Sequence, residues 1–139
     1  AADGRAIAGA VLADAVRAIR DHQPVFAATG GTHAASLVRF DGTHVATFED
    51  VGRHNAVDKL VGSQVRSGAV PLAAHALVVS GRSSFEIVQK AVTAGIPIVA
   101  SVSAASSLAV DLAKRAGATL VGFAREGAFT IYCGESRLR

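Results

Sequence analysis

The stretch Ala76-Leu77-Val78-Val79-Ser80-Gly81-Arg82-Ser83-Ser84-Phe85-Glu86 decides how the chain folds. Its first four residues are apolar without alternation, the pattern of a short strand buried on both faces of a sheet. A polar, glycine-bearing turn follows. Ser83 stands three residues ahead of Glu86, which predicts a capping box opening a helix. That helix should stop at Gly95, just before Pro97. A strand feeding straight into a helix is the first half of a parallel crossover. Downstream, Ile98 to Val102 repeats the buried strand and Ser107 to Ala116 repeats the helix, with Gly117 as its stop. Thr119 to Phe123 reads as a third buried strand, and Phe129 to Tyr132 as a last, edge strand.

Upstream, Gly52 to Val65 has helical spacing, with Val57, Leu60, Val61 and Val65 on one face. Ala35 to Phe40 and Val45 to Phe48 read as strands around the hairpin dipeptide Asp41-Gly42. The Gly30-Gly31 pair signals a turn. From Asp3 to His22 the apolar positions Ile7, Val11, Leu12, Val16 and Ile19 again keep helical spacing, and Pro24 ends it. Strands alternating with helices predict an α/β fold, a three-layer α/β/α sandwich on a mixed, mostly parallel sheet. The central strands Ala76–Ser80, Ile98–Val102 and Thr119–Phe123 should be mutually parallel, in a single domain over residues 1–139.

Half of the residues are hydrophobic, too many for a disordered chain. No apolar stretch reaches the roughly 18 residues that span a bilayer. No charged-then-apolar leader is visible, and the chain opens on Ala1, as a processed start or a piece of a longer chain would. Net charge is +3 with charges scattered and aromatics at 5%, so a stacking platform for nucleic acid is not expected. A small anionic ligand suits this charge better. The single cysteine, Cys133, excludes an internal disulfide and fits a reducing compartment.

In open α/β sheets ligands bind beyond the carboxyl ends of the parallel strands. Here those ends read Ser80-Gly81-Arg82-Ser83-Ser84, Ser101 to Ser107, and Gly122-Phe123-Ala124-Arg125-Glu126-Gly127. Hydroxyls, glycines and helix N-termini favour an anion, and Arg82 and Arg125 add forked donors for phosphate. Serines also cap helices without any ligand, but capping needs no arginine. A second cluster, Glu49-Asp50-Val51-Gly52-Arg53-His54-Asn55, has two readings. Either Asp50 caps the helix and Arg53 pairs with Glu49, or the group of acid, base, imidazole and amide serves a ligand. Gly30-Gly31-Thr32-His33 is a third candidate, as turn or as ligand loop. His22, His33, His44, His54 and His75 show no paired metal-ligand spacing. A zinc deaminase needs a general-acid Glu and a cysteine pair, and His54-Asn55-Ala56 and Ser80-Gly81-Arg82-Ser83 offer neither, so no zinc is expected.

These clusters carry a resemblance. Thr29 to Ala35, Glu49 to Lys59, Ser80 to Lys90, Ala94 to Pro97, Val102 to Val110 and Leu120 to Phe123 are similar, in order, to signatures of the FdhD family of formate dehydrogenase accessory sulfurtransferases. The resemblance implies a cytoplasmic sulfur carrier that takes persulfide sulfur from a cysteine desulfurase. The sulfur passes to the molybdenum or tungsten bis-guanine-dinucleotide cofactor of formate dehydrogenase. It also implies a cytidine deaminase-like fold, a tendency to form homodimers, and cofactor contacts at Phe123, Ala124, Arg125, Glu126, Gly127 and Ala128. His33, Arg53, His54, Ser80, Arg82 and Ser103 are further candidate contacts, and GDP is a candidate analogue. The family's persulfide cysteine belongs to an upstream Cys-x-x-Cys loop that has no counterpart here, and Cys133 does not match it. The expectation is therefore a cofactor-binding half that does not transfer sulfur alone. The alternative is a non-catalytic nucleotide-binding or docking module.

Overall fold

The computed structural model describes residues 6–19, 31–68, 72–123 and 129–139. The elements are α1 (Gly9–Ala18), β1 (His33–Arg39), β2 (His44–Asp50), α2 (Arg53–Arg66), β3 (His75–Val79), α3 (Phe85–Thr93), β4 (Ile98–Ser101), α4 (Ser107–Ala116), β5 (Thr119–Phe123) and β6 (Phe129–Cys133), then a 3-10 turn at Glu135–Arg137. One sheet orders the strands β2-β1-β3-β4-β5-β6. β3, β4 and β5 are mutually parallel, as expected, while β1 and β6 run against them. β2 is antiparallel to β1 and so points the same way as the central three.

The lack of alternation in the central strands has its cause in two cores. Leu77 and Val79 face a core shared with α2, α3 and α4, whereas Ala76 and Val78 face another shared with α1. Both faces are apolar because both are covered, which makes the three layers. α1 buries Leu12 and Val16, and Ile19 just beyond it is also buried. Ile7 is fixed by a parallel bridge to Leu138 that joins the two ends of the described chain. The hairpin forms where Asp41-Gly42 predicted it, with Gly42 at φ 94 and Asp41 Oδ1 accepting from Thr43 N–H.

Three expectations shift. Val65 is 55% exposed, the residues that follow it at the end of α2 are exposed too, and Ala56 is buried instead. The N-cap of α3 is Ser84, whose Oγ accepts from Ile87 N–H, not Ser83. Ser83 cannot cap because its backbone prolongs the β3–β4 pairing in a bridge to Ala105, where Ser83 O accepts from Ser106 N–H. Cys133 ends β6 opposite Leu120 rather than lying beyond the last strand. α4 and β5 occupy the expected residues, and Gly117 closes α4 at φ 71.

Candidate functional site

The topology brings the three sequence clusters to one end of the sheet. β3, β4 and β5 finish there, at Val79, Ser101 and Phe123. β2 also finishes there at Asp50, and the antiparallel β1 begins there at His33. α2, α3 and α4 all start at this end, so their N-terminal N–H groups and dipoles face it together. The site has two lobes.

The first lobe lies between β1, α2 and β3. A Cβ on Gly81 would stand 3.3 Å from His33 Nδ1 and 3.8 Å from Arg53 Cδ, so these two side chains flank the bare backbone of the β3 turn. His54 Nε2 lies 3.3 Å from Ser84 Oγ. Ser80 Oγ accepts from Ala34 N–H at 2.9 Å, tying the start of β1 to the end of β3. α2 begins at Gly52, which has no side chain to cap it, and no acid stands in its first turn. Asp50 caps nothing in the usual sense. Its Oδ1 accepts from Gly52 N–H at 2.9 Å, and its Oδ2 meets Lys59 Nζ at 2.7 Å. Lys59, then Gly52 N–H, hold the Asp50 carboxyl down to about 2. Glu49 accepts from Thr32 Oγ1 at 2.7 Å, and Arg53 makes no salt bridge among the described residues. The ion-pair reading of Glu49 with Arg53 is therefore replaced by Thr32–Glu49 and Asp50–Lys59. Exposed Glu86 is held below its ordinary value chiefly by its own backbone N–H, then by the Ser84 hydroxyl, His54 and Arg53.

The second lobe is a cleft of about 340 Å³ lined by Val102, Ser103, Ala104, Gly122, Phe123, Thr130 and Tyr132. Gly122 is required here. A Cβ would sit 2.8 Å from Ser103 O and 3.2 Å from the Tyr132 ring. Tyr132 Oη accepts weakly from Ala105 N–H at 3.4 Å. Ser103 is exposed, and its carbonyl accepts from Ser101 Oγ. Phe123 is mostly buried and tilts against Phe129, with centroids 5.1 Å apart.

The structure thus unites His33, Arg53, His54 and Ser80, and places Ser103 and Phe123 in the adjoining lobe. Arg82 is exposed on the turn after β3. Ala124, Arg125, Glu126, Gly127 and Ala128 lie outside the described residues, as does Gly30. Ser84 and Gly122 lay within the strand-end segments read from the sequence, whereas sequence reasoning missed Thr130 and Tyr132. Thr130 and Tyr132, two apart on an edge strand, share a face, and that alternation was the available signal. Cys133 stands at the far end of the sheet. Its Sγ donates to Ala118 O at 3.3 Å, and burial pushes the thiol above its ordinary value.

No three His, Cys, Asp or Glu side chains gather into a metal site among the described residues, and no helix among them is long and apolar enough to cross a membrane. Two curated proteins named Sulfur carrier protein FdhD are close relatives. That of Nocardia farcinica is 57% identical over 138 residues, covering 99% of this chain and 50% of its own. That of Streptomyces avermitilis is 56% identical over 128 residues, covering 92% and 45%. The chain spans about half the length of the curated relatives it matches. A crystal structure assigned as a formate dehydrogenase accessory protein from Desulfotalea psychrophila superposes with a TM-score of 0.87 at 33% identity, covering 97% of this chain and 57% of that one. The FdhD/NarQ family model matches residues 2–139, and the chain belongs to that family.

Proposed function

We propose that this chain is the cofactor-binding part of a sulfur carrier needed for formate dehydrogenase activity, and that it grips the guanine-nucleotide portion of a molybdenum or tungsten bis-guanine-dinucleotide cofactor. One observation carries the reading: three separate signature segments, around His33, Arg53 and Ser80, meet at the sheet end where three helices start. The described residues fit the nucleotide portion. They offer imidazoles, a guanidinium, hydroxyls and backbone N–H groups, beside a cleft kept open at Gly122. They do not provide a ligand set for the metal. When bound, the cofactor supplies the metal centre that receives sulfur for formate dehydrogenase.

Within this reading Arg53, His54 and the start of α2 hold negative charge, while Gly122 and Tyr132 shape the cleft. The sulfur-bearing thiol comes from elsewhere in the longer family protein. Cys133 is half-buried, bonded to Ala118 O and at the opposite end of the sheet. A cysteine desulfurase as donor, formate dehydrogenase as recipient, a homodimer and a cytoplasmic setting complete the proposal.

Titration calorimetry with GDP tests it. Saturable binding is expected, and Arg82→Ala or Arg125→Ala should each weaken it by about 1.5–3 kcal/mol, the worth of a charge-assisted hydrogen bond. That is roughly ten- to a hundredfold in affinity. No saturable binding of GDP would reject the nucleotide reading in favour of a docking module. Unchanged affinity in both arginine variants would leave the charge of the ligand to His33, Arg53 and His54 alone.

A further inference from the structure

We infer that residues 137–139 are a clasp that holds α1 down on the sheet. When Arg137 lets go, α1 lifts and the second core opens, while β3 and β4 stay paired and the first core stays closed.

α1 is poorly equipped to hold itself. It has ten residues, its N-cap Ala8 offers no side-chain cap, and no acid stands in its first turn. A helix of this length is marginal in water without support. Its first backbone bond runs from Leu12 N–H to Ala8 O, so the N–H groups of Gly9, Ala10 and Val11 precede its own ladder. One of these is met from outside the helix, since Gly9 N–H donates to Arg139 O at 2.9 Å. Two further bonds join the same segments, Ile7 N–H to Arg137 O at 2.8 Å and Arg139 N–H to Ile7 O at 3.1 Å. Ile7 is fully buried and Leu138 packs against the same core as α1, so the join is apolar as well as hydrogen-bonded.

The clasp is anchored in turn by Arg137. Its side chain is buried, and Nη1 donates to Gly117 O at 2.7 Å and lies 3.2 Å from Thr119 Oγ1. Gly117 closes α4 and Thr119 opens β5, so a cation there also suits the carboxyl end of the α4 dipole. α4 covers the first core and α1 the second, so the guanidinium links the two faces of the sheet. Those faces are unequally held. α2, α3 and α4 share the first, whereas α1 is the one helix over the second among the described residues. An element held by few contacts opens at lower free energy than the whole fold, and it opens as a unit.

The test is native-state hydrogen exchange on the full chain. In the wild type the amides of α1, with Gly9 and Arg139, should exchange as one group, well ahead of those of β3 and β4. Arg137→Ala should speed that group about ten- to a hundredfold, the loss of hydrogen bonds to a charged donor. β3 and β4 should speed by the same factor, because the contact is lost both in the partly open form and in the unfolded chain. Val99→Ala in the first core should speed β3 and β4 and leave α1 unchanged, because that core survives when α1 lifts. Arg137→Lys should recover part of the loss. Gly9→Pro keeps a residue that suits the first turn of a helix but deletes the donor to Arg139 O. It should speed exchange in α1, whereas a helix that holds itself would be slowed. A single common exchange rate for α1, β3 and β4 in the wild type would overturn the inference. So would an α1 group that Arg137→Ala leaves unchanged while β3 and β4 speed up, since α1 would then open with Arg137 still in place. Should Arg137→Ala not fold, Arg137→Lys and Gly9→Pro decide the same question.

Discussion

The carboxyl and amino ends of the central strands are made from the same three strands and close in opposite ways. At the carboxyl end, α2, α3 and α4 begin, so the first N–H groups of three helices face outward together. At the amino end α3 and α4 finish, and their acceptors are met by the chain itself. Gly95 and Gly117 end the helices in the left-handed region. Arg137 Nη1 donates to Gly117 O at 2.7 Å, Thr119 Oγ1 donates to Gly134 O at 2.7 Å, and Thr119 N–H donates to Pro97 O. A cavity of about 210 Å³ remains there, walled by Ile96, Pro97, Gly117 and buried Arg137. The lesson is that polarity of the helices, more than residue type, separates the end proposed to receive a ligand from the end that holds the fold together.

The largest expected effect is at the closed end. Gly134 sits at φ 74, and a Cβ there would come 2.5 Å from Thr119 Oγ1 and 2.7 Å from Ala118 O. Gly134→Ala should cost roughly 2–5 kcal/mol from backbone conformation plus overpacking, read by denaturant unfolding. Folded protein should bind GDP as before. A variant that keeps full stability but loses binding would erase the division between the ends.

A smaller effect sharpens the open end. Ser84→Ala removes a cap and should cost about 1 kcal/mol. Ser83→Ala deletes a buried hydroxyl that has no partner and should leave stability unchanged or raised. Equal losses in both would return the cap to Ser83.

Acid should touch the open end first. Asp50 is held at about 2 against an ordinary 3.8, mainly by Lys59. A lowered carboxyl contributes stability that is present above 3.8 and is lost as pH falls through about 2. Thermal melting across that window should show a modest fall that Asp50→Asn flattens, and salt should reduce it because the group is exposed. A wild-type chain that gains stability on acidification there would reverse the sign and refute the assignment.

The least change is expected at Cys133. Burial raises its thiol, so alkylation at neutral pH should be slower than that of free cysteine. Incubation with a cysteine desulfurase and cysteine should add no sulfur mass. Persulfide on Cys133 followed by rescue of formate dehydrogenase would give the closed end a chemistry it is not expected to have.

Much of this architecture could be read along the chain. Thr119–Phe123 and Ser107–Ala116 fell where expected because burial on both faces removes alternation and Gly117 marks a helix end plainly. The α3 cap slipped by one residue because two adjacent serines offer the same local signal, and only the bridge to Ala105 distinguishes them. The strand-end motifs, scattered along the chain, fall together at one end of the sheet. Their partners did not declare themselves. His33, Arg53 and Gly81 meet across three elements, and Gly122 meets Tyr132 across a strand pair. No spacing within a window records such contacts, because the topology makes them.

The bridge between Ser83 and Ala105 has a consequence for kinetics and heat. Paired backbone beyond the ends of β3 and β4 stitches two surface turns into one platform, together with Val102 N–H to Val79 O and Ser106 N–H to Ser83 O. The conformational entropy of those turns is lost when the chain folds, not when a ligand arrives. Binding over this platform should therefore proceed as rigid docking, with a small heat-capacity change and little refolding of the turns. The fixed distance between the starts of α3 and α4 then acts as a ruler, and these two turns do not shift to meet a ligand one phosphate too short or too long.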